Sequence, residues 1–421
     1  MMGNRIRGIA LAFTGVVLVA LVALVPVSAA PRAGDEVPGR YVVILKAGED
    51  AAAVAVTHGL ALEHRFEAAL RGFSARGVPG KLAALQADPR VESAEPDRIV
   101  EAYAQVTPTG INRIDADQSA TAKINGIDER VDVDVAIIDT GIQKSHSDLN
   151  VVGGYNCTTP KTSNWNDGNG HGMHVAGTAG AKDNDGGVVG VAPGARLWAM
   201  KVLDNSGSGF VSWVICGVDQ VTKNASTIDV ANMSLGGEFT SLALNAAIAN
   251  SVDRGVTYAV AAGNSKKDAA TFSPANHPDV LAVSALADSD GRCGGLGTAT
   301  ASGGDDTFAS FSNFGSVVDI AAPGVAILST YKGGGYATAS GTSMASPHVA
   351  GAAALYVATR GRDVNGDGVV NGADVAAVRN ALITGGVAQT QTCDTTLADG
   401  FGGFTGDPDA TPEPLVYTKS L

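Results

Sequence analysis

The chain has 421 residues, with 42 Asp and Glu against 29 Lys and Arg, which gives a formal net charge of −13 at pH 7. This acidic balance argues against nucleic acid and anionic membrane surfaces as partners, because both attract an excess of Lys and Arg. Only 17% of the residues are charged, 45% are hydrophobic and 54 are Gly, a profile typical of a globular chain with many tight turns rather than of a disordered one.

The first element is a predicted signal peptide, residues 1–30. Arg5 and Arg7 precede an uncharged apolar stretch, and the small residues Ala29 and Ala30 offer a cleavage site. A retained membrane anchor is the alternative, but an anchor usually has about 20 apolar residues and no such site. The sequence therefore predicts a secreted, extracellular protein with no membrane attachment after cleavage.

Export would bring the cysteines into a compartment in which disulfides persist. The chain contains Cys157, Cys216, Cys293 and Cys393, and four cysteines permit more than one connectivity. Proximity along the chain favours Cys157 with Cys216 and Cys293 with Cys393.

A small α+β domain is predicted over residues 31–105. Strand-like and helix-like runs alternate in it, at 41–45, 50–60, 66–75, 81–85 and 91–95. The segment that follows, 106–110, has the composition of a linker.

The remainder of the chain predicts an α/β domain. Apolar strand-like runs alternate with Ala-rich helical stretches, and the runs lie at 133–138, 197–203, 230–233, 257–261, 280–283 and 317–320. This alternation indicates a mostly parallel central sheet with helices on both faces.

Asp139 is the first candidate catalytic residue along the chain. It directly follows the run at 133–138 and precedes Thr140 and Gly141. In an open parallel sheet the chemistry lies outside the carboxyl ends of the strands, so this carboxylate is placed to hold a partner's proton. Taken alone, the motif also fits an ordinary strand-ending turn.

His171 is the second candidate catalytic residue. It lies in a run of small residues after a loop rich in Gly and Asn. Glycines beside it allow the backbone to approach an imidazole closely. His171 and His174 could instead be two metal ligands. However, no Glu follows His171 as the metalloprotease helix motif demands, and no Cys lies nearby in sequence.

Ser343 is the third candidate catalytic residue. It lies just after Gly341, at the start of an apolar stretch that is predicted to be helical. Backbone N–H groups at a helix start point towards any anion that forms beside them. Pro347 is tolerable near this start because the first amides of a helix lack intrahelical acceptors. The alternative is that Ser343 only caps the helix.

Together these residues supply an orienting carboxylate, a general base and a nucleophile in the chain order Asp, His, Ser. With these motifs the sequence resembles the subtilisin-like serine proteases from about Gly110 to Leu382. An esterase of the α/β-hydrolase fold would need the order Ser, Asp, His and a Gly-x-Ser-x-Gly elbow, so that reading fails.

The resemblance implies further roles. It makes Asn264 the oxyanion-hole side chain, which acts with the backbone N–H of Ser343. It also implies two backbone segments that clamp an extended peptide by β-augmentation. The implied substrate-binding residues are Gly207, Ser208, Gly209, Ser234, Leu235 and Gly236, with Ala261 and Gly263 in the adjoining pocket.

The pocket for the residue before the scissile bond is predicted to be uncharged, because residues 234–237 and 261–264 include no Asp or Glu. A preference for apolar or aromatic side chains follows. One departure from the family pattern is Met173, where Thr is usual. Met is larger and lacks the hydroxyl, so the packing behind His171 is expected to differ.

Residues 363–374 predict a structural calcium site. Counted from Asp363, oxygen side chains lie at positions 1, 3, 5, 9 and 12, with Gly at 6 and a backbone carbonyl at 7, which is EF-hand spacing. The ligands would be Asp363, Asn365, Asp367, the carbonyl of Val369, Asn371 and Asp374. The loop resembles that of dockerin modules, and residues 375–382 predict the exiting helix. A turn rich in Asp, Asn and Gly without metal is the alternative.

A second structural calcium site is implied by the family resemblance alone. It would use Asp148 and Asn184, with Lys182 contributing its carbonyl and pointing its charge outward.

The sequence thus predicts a secreted serine endopeptidase that acts on proteins or peptides and is made as an autoprocessed zymogen. The domains would be a signal peptide (1–30), a segment that the family resemblance implies is an inhibitory prosegment (31–105), a catalytic domain (106–394) that includes the calcium loop, and a tail (395–421). We expect a monomer with its own prosegment as an intramolecular inhibitor. A catalytically inactive, calcium-dependent extracellular scaffold or adhesin on the same fold is the alternative.

Overall fold

The computed structural model describes residues 36–68, 70–98, 105–396 and 400–421. The predicted signal peptide lies outside the described residues. The chain divides into two compact units, Met1–Ala102 and Tyr103–Leu421. Within the described ranges, none of the helices has the length and apolar character needed to cross a membrane.

The described part of the first unit is an antiparallel sheet with two short helices. Its elements are β1 (Glu36–Leu45), α1 (Ala51–Thr57), β2 (Ala61–Phe66), β3 (Gly72–Arg76), α2 (Leu82–Gln86) and β4 (Val91–Arg98). The four strands pair in the order β2-β3-β1-β4. Val43, Val54 and Phe73 are fully buried between sheet and helices, so this unit has a hydrophobic core of its own.

The sequence predicted one strand at 66–75, but the structure has β3 from Gly72 and a further strand, β2, just before this region. β2 ends at Phe66 and β3 begins at Gly72, and the two pair antiparallel as a hairpin. The exposed charged residues Glu67 and Arg71 lie between them. β2 was missed because it contains Glu63, His64 and Arg65 and has no buried residue, so no apolar run marks it.

The second unit contains the remaining elements. The first are α3 (Thr109–Arg113), β5 (Asp134–Asp139), β6 (Val151–Asn156), α4 (His171–Gly180), β7 (Arg196–Lys201), α5 (Val211–Lys223), β8 (Val230–Met233), β9 (Gly237–Glu238) and α6 (Leu242–Val252). They are followed by β10 (Thr257–Ala261), β11 (Phe272–Ser273), β12 (Leu281–Ala287), β13 (Thr307–Phe308), β14 (Ile320–Pro323), β15 (Ile327–Tyr331), β16 (Gly335–Ala339), α7 (Thr342–Arg360) and α8 (Gly372–Gly385).

The central sheet confirms the predicted α/β class. Its eight strands run in the order β13-β12-β10-β8-β5-β7-β6, with β14 also paired to β12. All of these pairs are parallel except that of β13 with β12. The carboxyl ends of the parallel strands therefore meet along one edge, and the loops that follow them carry most of the predicted site.

Helices cover both faces of this sheet. Ile137 shares a core with Val175 of α4 and with buried residues of α7. Its neighbour Ile138 shares a separate core with Val218 of α5 and with buried residues of α6. Adjacent residues of one strand face opposite sides, and both sides are apolar, which explains why these strands are continuous hydrophobic runs.

The sequence did not predict β6, which has the sequence Val-Val-Gly-Gly-Tyr-Asn. Glycines usually weaken a strand. Here they admit tryptophan rings, since a Cβ on Gly153 would lie 2.5 Å from the Trp198 ring and one on Gly154 would lie 2.8 Å from that of Trp165. The run predicted at 317–320 is also displaced, because β14 begins only at Ile320.

The predicted disulfide pairing is confirmed. Cys157 bonds to Cys216 and ties the end of β6 to α5. Cys293 bonds to Cys393 and ties the loop after β12 to the segment after α8. The segment 400–421 packs on the rest of the second unit, since Leu415 forms β-bridges with both Ala321 and Val387.

Candidate active site

Asp139 and His171 lie in direct contact. Asp139 is the last residue of β5 and is fully buried. Its two carboxylate oxygens lie 2.8 and 2.9 Å from Nδ1 of His171. This contact assigns the proton of the ring to Nδ1 and leaves Nε2 as the basic nitrogen.

The position of His171 is set by the loop before α4. Asp167 is buried, and its carboxylate accepts hydrogen bonds from the backbone N–H groups of Asn169, Gly170 and Met173 at 2.8 to 2.9 Å. Gly170 has φ +111°, a conformation that L side chains rarely adopt. The helix therefore begins at His171 with the side chain directed at Asp139. Sequence reasoning missed Asp167, because its partners lie within a loop that no periodic pattern marks.

The electrostatics of His171 combine opposing effects. Burial lowers the pKa of the imidazole, but the charge of Asp139 and its hydrogen bond outweigh burial, so that the pKa of His171 is raised overall. The His171 side chain is still 30% exposed. A base that is oriented from behind and open to a cavity in front can exchange protons with a bound molecule.

Ser343 is the second residue of α7, after the helix start at Thr342. Its backbone N–H is one of the first amides of the helix, which have no intrahelical acceptor. Its Oγ donates to the carbonyl of Ser234 at 3.2 Å, and the Oγ of Ser234 donates back to the Ser343 carbonyl at 2.7 Å. These two bonds attach the start of α7 to the segment after β8.

Asn264 lies beside the same helix start. Its Oδ1 accepts from the Thr342 backbone N–H at 2.8 Å and from Thr342 Oγ1 at 2.9 Å. Both bonds use the oxygen of the amide, so the Nδ2 group is left to donate into the cavity that Asn264 and Ser343 line. Sequence reasoning did not identify Thr342, which has this orienting contact.

Two adjoining cavities meet at the predicted substrate segments. The larger, about 550 Å³, is lined by His171 together with residues 206–211 and 234–236. The smaller, about 390 Å³, is lined by Ser343, Asn264 and residues 235–238 and 261–263. Leu235 and Gly236 belong to both linings, so the segment after β8 runs between the cavity of His171 and the cavity of Ser343.

The prediction of an uncharged pocket is incomplete. Glu238 also lines the smaller cavity, one residue beyond the range from which that prediction was made. Its carboxylate pairs with Lys267 Nζ at 2.7 Å. The other lining residues of this cavity carry no ionisable side chain among those that the structure describes.

Met173 lies fully buried behind His171. Its sulfur lies 3.0 Å from the backbone N–H of Gln143 and accepts a hydrogen bond from it. The expected difference in packing therefore includes a polar contact that the thioether supplies in place of a hydroxyl.

The two histidines of the alternative metal reading serve different partners. His171 is directed at Asp139, whereas Nε2 of the buried His174 lies 2.9 Å from the carbonyl of Ile327. Burial lowers the pKa of His174 to about 4. His174 is thus a neutral core histidine.

The loop 363–374 folds around its own carboxylates. Asp363 accepts from the backbone N–H groups of Asp367 and Gly368, and the buried Asp374 accepts from those of Asn365 and Asn371. The donor set is made of oxygens only, which suits a hard cation such as Ca²⁺. Asn371 also caps α8, which therefore starts at Gly372, earlier than predicted.

The residues of the second implied calcium site are brought together by contacts between segments that are distant in sequence. Asp148 Oδ2 accepts from the Val188 N–H at 3.0 Å, while its Oδ1 is buried with no hydrogen-bond partner among the described residues. Burial raises the pKa of Asp148 to about 6. Gln105 Nε2 donates to the carbonyls of Lys182 and Val188 at 2.8 and 3.3 Å. Sequence reasoning missed Gln105, since it is far from this loop along the chain.

Both the carbonyl and the side chain of Lys182 have partners in this region. Its carbonyl faces Gln105, and its Nζ donates to the carbonyl of Ser147 at 2.7 Å. The Asn184 side chain lies close enough to Asp148 to oppose the effect of burial on the pKa of that carboxyl. An orphaned carboxylate oxygen among carbonyl and amide oxygens fits a calcium ion.

A further acidic group includes Asp288, Asp290 and Asp305, with ligand atoms within 4.8 Å of one another. Arg113 Nε lies 2.9 Å from Asp288, and backbone N–H groups occupy the oxygens of Asp305. Asp305 and Asp288 thus have partners within the protein.

Comparison with known proteins points to one family. A model described as "Subtilase family" matches residues 131–392, the region that includes Asp139, His171, Asn264 and Ser343. Subtilisin NAT of Bacillus subtilis subsp. natto is 44% identical over 276 residues, which are 65% of this chain and 67% of that protein. M-protease of Shouchella clausii (strain KSM-K16) is 39% identical over 323 residues, 76% of this chain and 78% of that protein.

The fold has a solved counterpart as well. The crystal structure of a cold adapted subtilisin-like serine proteinase matches with a TM-score of 0.51 at 33% identity, and it covers 77% of this chain and 93% of that chain.

Proposed function

The chain belongs to the subtilase family of serine endopeptidases, and we propose that it is a secreted enzyme that uses Asp139, His171 and Ser343 as its catalytic triad. The observation that carries this proposal is the pair of contacts from His171 Nδ1 to the buried carboxylate of Asp139. They leave Nε2 of the ring facing a cavity that shares Leu235 and Gly236 with the cavity of Ser343.

In the first step the Ser343 oxygen attacks the carbonyl carbon of the scissile peptide. His171 Nε2 takes the Ser343 proton as general base and then donates it to the leaving amine. Asp139 holds the ring and stabilises the imidazolium that forms. Water then attacks the acyl group, and His171 again takes the proton and returns it to Ser343.

The attacking hydroxyl must first leave the Ser234 carbonyl, with which it forms a hydrogen bond at 3.2 Å. An extended peptide that pairs with the segment after β8 offers its own N–H to such a carbonyl. Substrate binding would therefore release Ser343 Oγ to turn towards His171 Nε2.

Two donors would stabilise the oxyanion that forms on the carbonyl. One is the backbone N–H of Ser343 at the helix start, and the other is Nδ2 of Asn264, whose orientation Thr342 fixes. Donors that are fixed before the reaction stabilise the developing charge without reorganisation.

The substrate segments would be Gly207, Ser208 and Gly209 on one side and Ser234, Leu235 and Gly236 on the other, with Ala261 and Gly263 in the adjoining pocket. These residues line the two cavities. A protein or peptide chain laid between the segments would place its scissile bond at Ser343.

We infer that the first unit is a removable prosegment and that the enzyme is made as a zymogen. This unit has its own sheet and core, as expected of a part that folds and separates as a body. Gln105, by contrast, bonds to Lys182 and Val188 of the second unit. We therefore place the cleaved bond on the N-terminal side of Gln105.

Calcium would be structural at both loops. One ion would be held by Asp363, Asn365, Asp367, Val369, Asn371 and Asp374, and the other by Asp148 and Asn184 with the Lys182 carbonyl. Calcium supplies charge that holds a loop in one conformation. The first loop joins α7, which carries Ser343 in its first turn, to α8. Arg379 attaches α8 to Asp319 and to the Val280 carbonyl, at 2.6 and 2.7 Å.

The proposal is tested by expressing the full chain with Ser343→Ala beside Ser226→Ala, in which an exposed serine is changed. Wild type and Ser226→Ala should shed the first unit and digest casein. Ser343→Ala should remain a full-length precursor and leave casein intact. Efficient self-processing by purified Ser343→Ala would contradict the autocatalytic mechanism.

A further inference from the structure

The cavity beside Ser343 determines which residue precedes the cleaved bond. It is lined by both Ser343 and Asn264, so the side chain of the residue whose carbonyl is attacked must enter it. Most of its lining is apolar or small, including Leu235, Ala261 and Phe272. Such a lining accepts the hydrocarbon part of a side chain.

Glu238 is the ionisable residue in the described lining of this cavity. Its backbone is fixed, because β9 pairs with β11 and Glu238 lies opposite the buried Phe272 in that pairing. The backbone pairing therefore holds Glu238 at the edge of the cavity, and its side chain is 51% exposed to solvent.

The partner of Glu238 is Lys267, whose Nζ lies 2.7 Å from the carboxylate. The Lys267 backbone is also fixed, since its N–H donates to Asn313 Oδ1 at 3.0 Å. The Lys267 side chain is 52% exposed. Ion pairs at such exposure are weak and screened by salt, so a second cation that enters the cavity can replace Lys267.

We propose that Glu238 is a specificity-determining residue that lets the enzyme cleave after Lys or Arg as well as after apolar residues. The inference rests on the proposed function. The stem of a basic side chain would lie on the apolar lining, and its charged end would meet the Glu238 carboxylate. Lys267 competes for the same carboxylate and thereby limits the preference for basic residues.

The test compares kcat/KM for two peptides that differ only in the residue before the scissile bond, Lys in one and Met in the other. The variants are Glu238→Gln, which removes the charge at similar size, and Lys267→Met, which frees the carboxylate. Lys266→Met is the matched control, because Lys266 is an exposed neighbour and its loss changes the net charge equally.

Lys267→Met should raise the Lys-to-Met ratio of kcat/KM about threefold to fivefold, and Glu238→Gln should lower it by a similar factor, as expected for one exposed ion pair. The double variant should match Glu238→Gln, and Lys266→Met should match wild type. High salt should shrink the effect of Lys267→Met. Unchanged ratios in both single variants, with the Met peptide still cleaved, would overturn the role of Glu238. Failure of wild type to cleave either peptide would instead overturn the proposed protease function.

Discussion

Asn264 Oδ1 accepts two hydrogen bonds from Thr342, one from the backbone N–H at 2.8 Å and one from Oγ1 at 2.9 Å. Thr342 Oγ1 in turn accepts from the Gly263 N–H at 3.1 Å. Thr342, the residue before Ser343, thus fixes the amide that we propose as an oxyanion donor. This connects the start of α7 to the loop after β10.

The first prediction concerns this connection. Thr342→Val should lower kcat about fivefold with little change in KM, since a net hydrogen bond contributes about 1 kcal/mol. Thr342→Ser, which restores the hydroxyl, should recover most of the loss. Steady-state kinetics on a peptide substrate would check both variants. The orienting role would be wrong if Thr342→Val changed KM alone.

Asn264→Leu sets the upper limit for that effect. Removal of one oxyanion donor in subtilisin itself lowers kcat by about 10²–10³, and this measurement on a relative, rather than a derivation, supplies the expected size.

The second prediction concerns pH. Asp139 raises the pKa of His171 against the effect of burial, and the base must be neutral, so activity is lost as pH falls through that pKa. Asp139→Asn removes the negative charge and should move the acid limb of kcat/KM to lower pH. It should also reduce kcat by about 10⁴, because the ring loses its correct tautomer. A pH profile whose acid limb stayed in place would argue against the contact.

The third prediction concerns calcium. Asp148→Asn and Asp363→Ala should each remove stabilisation of about 2.7 kcal/mol when free calcium is about a hundred times Kd. Differential scanning calorimetry in calcium and in EDTA measures this loss. Asp219→Asn, at an exposed carboxylate that pairs with Lys223, should keep the full calcium response. If both loop variants melted as wild type does in both buffers, neither loop would bind structural calcium.

The fourth prediction concerns Glu413, which is buried and accepts from Ser284 Oγ. Burial and the neighbouring Asp407 raise the pKa of Glu413. In the unfolded chain the Glu413 carboxyl loses its proton at about pH 4.3, while in the folded chain it keeps the proton to higher pH. The contribution of this group to stability is therefore full at low pH and is lost as pH rises through the folded pKa.

Glu413→Gln should accordingly be more stable than wild type in alkaline buffer and should flatten the fall in stability with pH. Urea unfolding at several pH values would measure it. Glu129→Gln is the control, because contacts with Asn125 and Lys123 lower the pKa of Glu129 and its removal should not change the alkaline slope. An unchanged slope in Glu413→Gln, as in Glu129→Gln, would show that Glu413 is already ionised in the folded chain.

Local patterns predicted much of the fold. The runs at 230–233 and 257–261 coincide with β8 and β10, because buried parallel strands are continuous apolar segments. β6 was missed because its glycines make room for Trp165 and Trp198, which come from elsewhere in the chain. A sequence pattern does not show which ring covers which glycine.

The sequence likewise predicted some residues of the site and missed others. Asp139, His171 and Ser343 each lie in a short motif, so the sequence alone identified them and their order. Glu238 and Gln105 were not, because each acquires its role through a partner distant in sequence, Lys267 for one and Lys182 for the other. Contacts of this kind follow from the fold rather than from local composition.

The central claim is that Ser343 is the nucleophile of a working triad. The most direct test is to treat the purified protein with a fluorophosphonate and to locate the adduct by peptide mass spectrometry. We expect one adduct, on Ser343, that is absent in Ser343→Ala and strongly slowed in His171→Ala. A folded protein that forms no adduct at Ser343 would contradict the claim and favour an inactive scaffold.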